Sequence, residues 1–208
     1  LETVNEKKIK RFIQISTDEV FGSIEKGDFS EDSPFQPNSP YSASKAGGDL
    51  LCRAYFETYK TPVIVTHSCN FYGPNQYPEK IISLFITNLI EEKKVPLYGD
   101  GLNVREWIYP TDHCEAVDAV LHNGKEGEIY NIGTSEGKTN KEITEIVLKN
   151  LGKDKSFIEY VKDRAGHDRR YSLATEKIQR ELGWSSKVKF EQGIKETIKW
   201  YQENQWWW

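Results

Sequence analysis

Methionine is absent from the 208 residues, and cysteine occurs only three times, at Cys52, Cys69 and Cys114. An odd number of widely spaced cysteines without a Cys-x-x-Cys pair fits neither a disulfide framework nor a zinc site, so reduced, mostly buried thiols and no bound metal are expected. No apolar run approaches the roughly 20 residues that span a bilayer. The opening Leu1-Glu-Thr-Val-Asn-Glu-Lys-Lys8 has no hydrophobic signal core. No membrane association is therefore expected, and the reading places the chain in the cytoplasm. An extended basic face is missing too: 28 Lys and Arg against 32 Asp and Glu leave a formal charge of −4, which argues against nucleic acid as a partner. There is no internal repeat or low-complexity tract, and 37% hydrophobic with 29% charged residues describes a globular chain of one domain or one and a half. A chain that opens on Leu1 and contains no methionine is expected to be a fragment of a longer protein.

What is present is concentrated between residues 12 and 45. Phe12, Ile13 and Ile15 form a short β-branched and aromatic run that predicts a buried strand. Thr17-Asp18-Glu19 then falls at its carboxyl end, which is the ligand side of open parallel α/β sheets. Gly22, Gly27, Pro34, Pro37 and Pro40 mark a long irregular loop, of a length that is usually functional. From Ala43 to about Tyr59 the spacing of Leu50, Leu51, Ala54, Tyr55 and Tyr59 predicts a helix, with Tyr41 and Lys45 four residues apart at its start. An ammonium beside a phenol lowers its pKa from about 10 towards neutrality and makes the tyrosine a candidate general base. Adjacent carboxyls such as Asp18 and Glu19 push their pKa values apart, leaving one acid and one base. Taken singly, each pattern has a plain alternative: an aromatic at a helix entrance with a solvated lysine, and a solvated turn.

Downstream, Pro62-Val-Ile-Val-Thr66 predicts the next strand and Lys80 to about Glu92 a largely buried helix. Strands are also expected at Leu97-Tyr98, Trp107-Ile-Tyr109 and Glu128–Ile132, with an edge strand at Phe157–Val161. Asp112 with Glu115, and Thr139 with Glu142, have the spacing of capping boxes. Helices over 176–182 and 191–204 complete the chain, and the Trp206-Trp-Trp208 ending has no reading from sequence. Arg105, Arg164, His167, Arg169 and Arg170 are cations of the kind that neutralise a diphosphate, or else a solvated surface.

Ser16-Thr-Asp-Glu-Val-Phe-Gly22, Pro40-Tyr-Ser-Ala-Ser-Lys-Ala46 and Asn70-Phe-Tyr-Gly-Pro74 together resemble the extended short-chain dehydrogenase/reductase family. The adjacent Asp18-Glu19 pair is similar, within it, to the nucleoside-diphosphate-glucose 4,6-dehydratases, above all those acting on dTDP-glucose. The resemblance continues through Tyr72–Lys80, Tyr98–Gly101, Val104–Tyr109, Tyr130–Gly133 and Asp163–Tyr171, essentially the whole chain. It implies an α/β fold: a partial Rossmann-type parallel sheet in residues 1–75, and a smaller mixed subdomain in 76–208 that binds the nucleotide sugar and returns some segments to the sheet.

By the same resemblance the cofactor is NAD and the reaction a lyase's: oxidation at sugar carbon 4, loss of water across carbons 5 and 6, and hydride return to carbon 6. Thr17, Asp18, Glu19, Tyr41 and Lys45 take the catalytic positions. Tyr41, Lys45 and Asn70 take cofactor positions, and Thr17, Asn70, Lys80, Arg105, Asn131, Arg164 and His167 take substrate positions. A homodimer through the helix after Lys45 is implied as well. The family's glycine-rich phosphate turn is not in this sequence, so most of the cofactor half is expected to be missing and this chain inactive alone. Phe21 stands where the family commonly has tyrosine and Phe71 where it often has asparagine. Gly47-Gly48 costs the helix about 1 kcal/mol per glycine relative to alanine. A UDP-glucose 4,6-dehydratase, another sugar-nucleotide epimerase or dehydratase, and a non-catalytic nucleotide-sugar-binding remnant remain open as rivals.

Overall fold

Val63–Ser68 shows none of the alternation of a half-wet strand: all six residues are buried, as in parallel strands covered on both faces. Around this strand a computed structural model describes all 208 residues. The strands are β1 (Phe12–Ile15), β2 (Val63–Ser68), β3 (Asn70–Phe71), β4 (Val95–Tyr98), β5 (Val104–Ile108), β6 (Ile129–Ile132), β7 (Gly137–Thr139) and β8 (Ile158–Val161). The helices are α1 (Glu2–Glu6), α2 (Pro40–Tyr59), α3 (Ile81–Ile90), α4 (Pro110–Asn123), α5 (Asn140–Asn150), α6 (Glu176–Leu182) and α7 (Phe190–Glu203).

The main sheet is parallel, in the order β1-β2-β6, with Ile13 opposite Ile64 and Thr66 opposite Tyr130. A second sheet sets β5 between β3, parallel to it, and β7, antiparallel; β4 and β8 form a parallel pair. This mixed α/β architecture with a Rossmann-like parallel sheet agrees with the expected fold class. One core lies on the main sheet, where Ile64, Tyr130 and Ile132 meet Ala116 and Val120 of α4 and Ile178 of α6. Another joins α3, α5 and α7 through Phe85, Leu89, Val147, Ile194 and Ile198. No helix is long and apolar enough to cross a membrane.

Two local expectations change, and the tryptophan ending acquires a place. β1 is the edge of its sheet and only half-buried, with Ile15 45% exposed, because β2 is its only paired neighbour. Asp112 does not begin a capping box: α4 starts earlier, with Tyr109 at its N-cap and Pro110 in its first turn. The Asp112 carboxylate instead accepts the backbone N–H groups of Lys187 and Val188, at 2.9 and 2.8 Å. The terminal tryptophans fold back on α7, where the Trp208 indole donates to the Tyr201 carbonyl at 3.2 Å and Trp207 packs edge-on against Trp200. The Thr139–Glu142 box forms as expected.

Candidate functional site

At the end of β1 the Ser16 N–H donates to the Thr66 carbonyl at 2.7 Å, keeping the chain in the sheet for one residue more. Thr17 is extended, and its hydroxyl accepts the Glu19 N–H at 3.3 Å, capping a 3₁₀ turn over Asp18–Phe21. Val20 and Phe21 bury themselves, Phe21 stacking on Phe29 at 5.0 Å, so the turn is pinned through its apolar half. It closes at Gly22, whose φ of +79° and 2.4 Å from a built Cβ to the Gln36 carbonyl leave no room for a side chain. Asp18 is only 2% exposed, and its Oδ2 has no partner. Burial first, then the charge of Glu19, push its carboxyl up to about 8. Burial also raises Glu19, with Arg105 the leading charge that opposes the rise.

The start of α2 faces this turn. Ser39 and Ser42 cap it reciprocally, each hydroxyl accepting the other's N–H at 3.1 Å, and Pro40 occupies the first helical turn. Tyr41 therefore emerges beside Asp18 and Glu19, 56% exposed. One turn later the Lys45 ammonium donates to the Ile15 carbonyl at 2.6 Å. The expected lowering of the tyrosine does not appear: burial, Glu19 and Asp18 raise the Tyr41 phenol above its ordinary value. The lysine is engaged by the strand-end carbonyl, while two carboxyls bear on the phenol.

A third residue on the same helical face was not foreseen. The Asp49 carboxylate, buried, accepts the Ser16 hydroxyl at 2.6 Å and lies 3.2 Å from Nε2 of buried His67. The spacing of Tyr41, Lys45 and Asp49 is the sequence signal that would have found it. A second buried pair joins Ser68 to His113 at 2.9 Å, where burial pulls the His113 imidazole down to about 4.

These elements form one side of a cleft of about 610 Å³. Arg105 lines the other side, 7% exposed, donating to the carbonyls of Val104 and Asp168 at 2.7 Å each and lying 4.0 Å over the Tyr171 ring. Arg164, over the Tyr98 ring, and His167, 2.6 Å from Asp163, also line it. So do Lys80, beside Glu79, and Asn70, whose buried Oδ1 has no partner. Thr17, Asp18, Glu19, Tyr41, Asn70, Lys80, Arg105, Arg164 and His167 are thus brought together, with Lys45 just behind the wall. Arg169 and Arg170 are spent on Asp100 and Asp28.

Asn131 is the exception. It is fully buried in β6 and does not line the cleft; its N–H donates to Glu31 and its side-chain amide to the Phe29 carbonyl, at 3.0 and 2.9 Å. A strand-end asparagine here anchors the 22–40 loop, which the sequence pattern does not distinguish from a ligand contact. Phe71 edges onto His113 at the cleft wall, 37% exposed.

For the NAD that the resemblance implies, Tyr41, Lys45 and the unpartnered amide oxygen of Asn70 fit the nicotinamide-ribose end: a cation, a phenol and a free acceptor at the carboxyl end of a parallel strand. No glycine-rich turn is present in this chain to hold a pyrophosphate.

The family model described as GDP-mannose 4,6 dehydratase matches residues 1–197. A dTDP-glucose 4,6-dehydratase of Streptomyces niveus is 49% identical over 208 residues, the whole of this chain and 62% of the relative's length. Among solved structures, a dTDP-glucose 4,6-dehydratase from Streptomyces venezuelae crystallised with NAD superposes with a TM-score of 0.98 at 51% identity, covering 100% of this chain and 64% of that one. The Bacillus anthracis dTDP-glucose 4,6-dehydratase in complex with NAD gives 0.96 at 53% identity, over 100% of this chain and 66% of that one. The chain therefore spans a little under two thirds of the relatives it matches. Since the family match takes in the capped carboxylate turn, the serine-capped helix and the cationic wall alike, this chain belongs to the GDP-mannose 4,6 dehydratase family.

Proposed function

We propose that this chain carries the catalytic turn and the nucleotide-sugar cleft of an NAD-dependent dTDP-glucose 4,6-dehydratase, a hydro-lyase. The observation that carries the reading is the division between adjacent carboxyls. Asp18, buried and pushed up to about 8, keeps its proton at neutral pH. Burial raises Glu19 too, but Arg105 opposes that rise, and Glu19 is proposed as the carboxylate of the pair. NAD, when bound, supplies the chemistry of accepting hydride from sugar carbon 4 and returning it to carbon 6.

The chain's own groups move the protons. Tyr41, as its phenolate, takes the proton of the 4-hydroxyl, and Thr17 hydrogen-bonds the same oxygen. In that role Lys45 and the positive charge of bound NAD would offset the rise that burial, Glu19 and Asp18 impose on the phenol. The resulting ketone acidifies the proton on carbon 5, which Glu19 removes. Asp18 hands its proton to the 6-hydroxyl, which leaves as water. Lys45 holds the strand end and the nicotinamide ribose. Arg105, Arg164, His167 and Lys80 supply positive charge for the diphosphate, and Asn70 faces the sugar.

In this reading residues 1–75 carry the catalytic part and 76–208 mainly the nucleotide-sugar part, in a cytoplasmic enzyme. A second copy packs on α2, where Leu50 and Leu51 are each 57% exposed beside the small Gly47 and Ala54. Sedimentation of Leu50→Glu would then give a lighter species than the parent chain, and an unchanged one would sink this interface.

The test of function is turnover of dTDP-glucose with NAD by the full-length parent, with the cofactor half restored upstream, following reduced cofactor and the 4-keto-6-deoxy product separately. Glu19→Gln is expected to reduce cofactor without releasing product, and Tyr41→Phe to do neither. Product from either variant at the parental rate would refute the assigned roles. Competition by dTDP and UDP decides the base: dTDP is expected to compete at lower concentration.

A further inference from the structure

We infer that Glu106 is the positioning residue of the nucleotide wall: from β5 it fixes the returning segment that carries Arg164 and His167 to the diphosphate. This rests on the nucleotide-sugar reading above. Glu106 has no solvent exposure, and its hydrogen-bond partners are all neutral donors. Its Oε1 accepts the Ser172 hydroxyl at 2.6 Å and the Leu173 N–H at 3.1 Å. Its Oε2 accepts the N–H groups of Thr134 and Ser135, at 2.9 and 3.1 Å. Four donors fill the acceptor sites of one carboxylate, and none is itself an ion. Gly133 is shaped to admit this group, since a built Cβ there would stand 2.6 Å from Glu106 Oε2.

Two residues that precede Glu106 in β5 hold the same segment. The Val104 N–H donates to the Arg169 carbonyl at 2.8 Å, and the Tyr171 N–H donates back to Val104 at 3.3 Å. Arg105 holds the Asp168 carbonyl. Residues 168–173 are therefore gripped by three consecutive residues, with Glu106 closing the far end. Residues 162–166, which include Arg164, are all exposed, so their placement over the cleft depends on this anchor.

Calorimetric titration of the chain with dTDP and with dTMP tests the proposal, near-ultraviolet circular dichroism confirming that each variant is folded. Glutamine offers one acceptor oxygen and turns its amide NH2 toward the other pair of donors. Glu106→Gln is expected to weaken dTDP about tenfold, or roughly 1.4 kcal/mol, and dTMP much less, so that the preference for the diphosphate falls. Arg164→Ala should lose a similar preference, and the double variant little more than either single one.

Unchanged dTDP binding by folded Glu106→Gln, or equal losses for both ligands, would overturn the proposal. Should Glu106→Gln not fold, Ser172→Ala removes one donor only and is expected to weaken dTDP about threefold; parental affinity there would overturn the proposal equally. A parent chain that binds dTDP no better than dTMP would bring down the nucleotide-sugar reading and the inference together, whereas normal parental binding with insensitive variants brings down the inference alone.

Discussion

At the carboxylate wall of the cleft, Thr17, Asp18 and Glu19 reach the site through one capped turn. At the cationic wall Arg105 and its partner Asp168 are 63 residues apart and meet only because β5 grips a returning segment. The first wall is local: its shape follows from a threonine cap, two apolar anchors and one glycine. The second is assembled from distant pieces whose hydrogen bonds run to backbone carbonyls rather than to a motif. The difference predicts where substitutions act. Changes at the carboxylate wall should alter titration, and changes at the cationic wall should alter the fold around the ligand.

The largest expected effect concerns Asp18. Its folded carboxyl titrates at about 8, against an ordinary value near 3.8, so its contribution to stability is complete below about pH 3.8 and is lost as pH rises through about 8. Asp18→Asn, which cannot ionise, should remove that slope and leave the chain more stable than the parent at pH 9, by roughly 3–6 kcal/mol. Urea unfolding between pH 5 and pH 9 measures it; parallel pH profiles for the two proteins would show that Asp18 is not held protonated by burial.

Next comes Arg105→Ala, which strips the Val104 and Asp168 carbonyls of a buried donor and the Tyr171 ring of its cation. A loss of about 3 kcal/mol is expected in the same unfolding assay, growing as pH rises because Glu19 and Asp18 lose an opposing positive charge. A loss independent of pH would tie the arginine to the segment alone.

Gly22→Ala strikes the local wall through its backbone. Positive φ and the close Gln36 carbonyl should cost about 2 kcal/mol, read as a lowered unfolding midpoint. Smallest is Asn131→Ala, which removes one bond to the Phe29 carbonyl. It should cost about 1 kcal/mol while dTDP affinity stays at the parental value; weaker binding would return Asn131 to the ligand set.

Much of the site was legible because its local parts are spelled consecutively. A strand ending in Thr-Asp-Glu, a helix from about residue 43 and a Tyr/Lys pair one turn apart each follow from short-range geometry. The buried partners of Asp49 and the four donors on Glu106 were not legible, since no spacing announces a hydrogen bond between segments that meet only after folding. Asn131 shows the converse error: at a strand end its amide serves a loop or a ligand equally well, and burial beneath residues 29–31 chose the loop.

By itself the sequence determined the parallel α/β class, most helix and strand positions and the presence of a carboxylate pair beside a tyrosine and lysine. These depend on side-chain periodicity and on residues close in the chain. Only the tertiary structure decided the direction of the Tyr41 shift, the protonation of Asp18 and the side of β6 on which Asn131 works. Those outcomes depend on which charges are buried together and which carbonyl claims the Lys45 ammonium, and desolvation is a property of the assembled cleft rather than of any stretch within it.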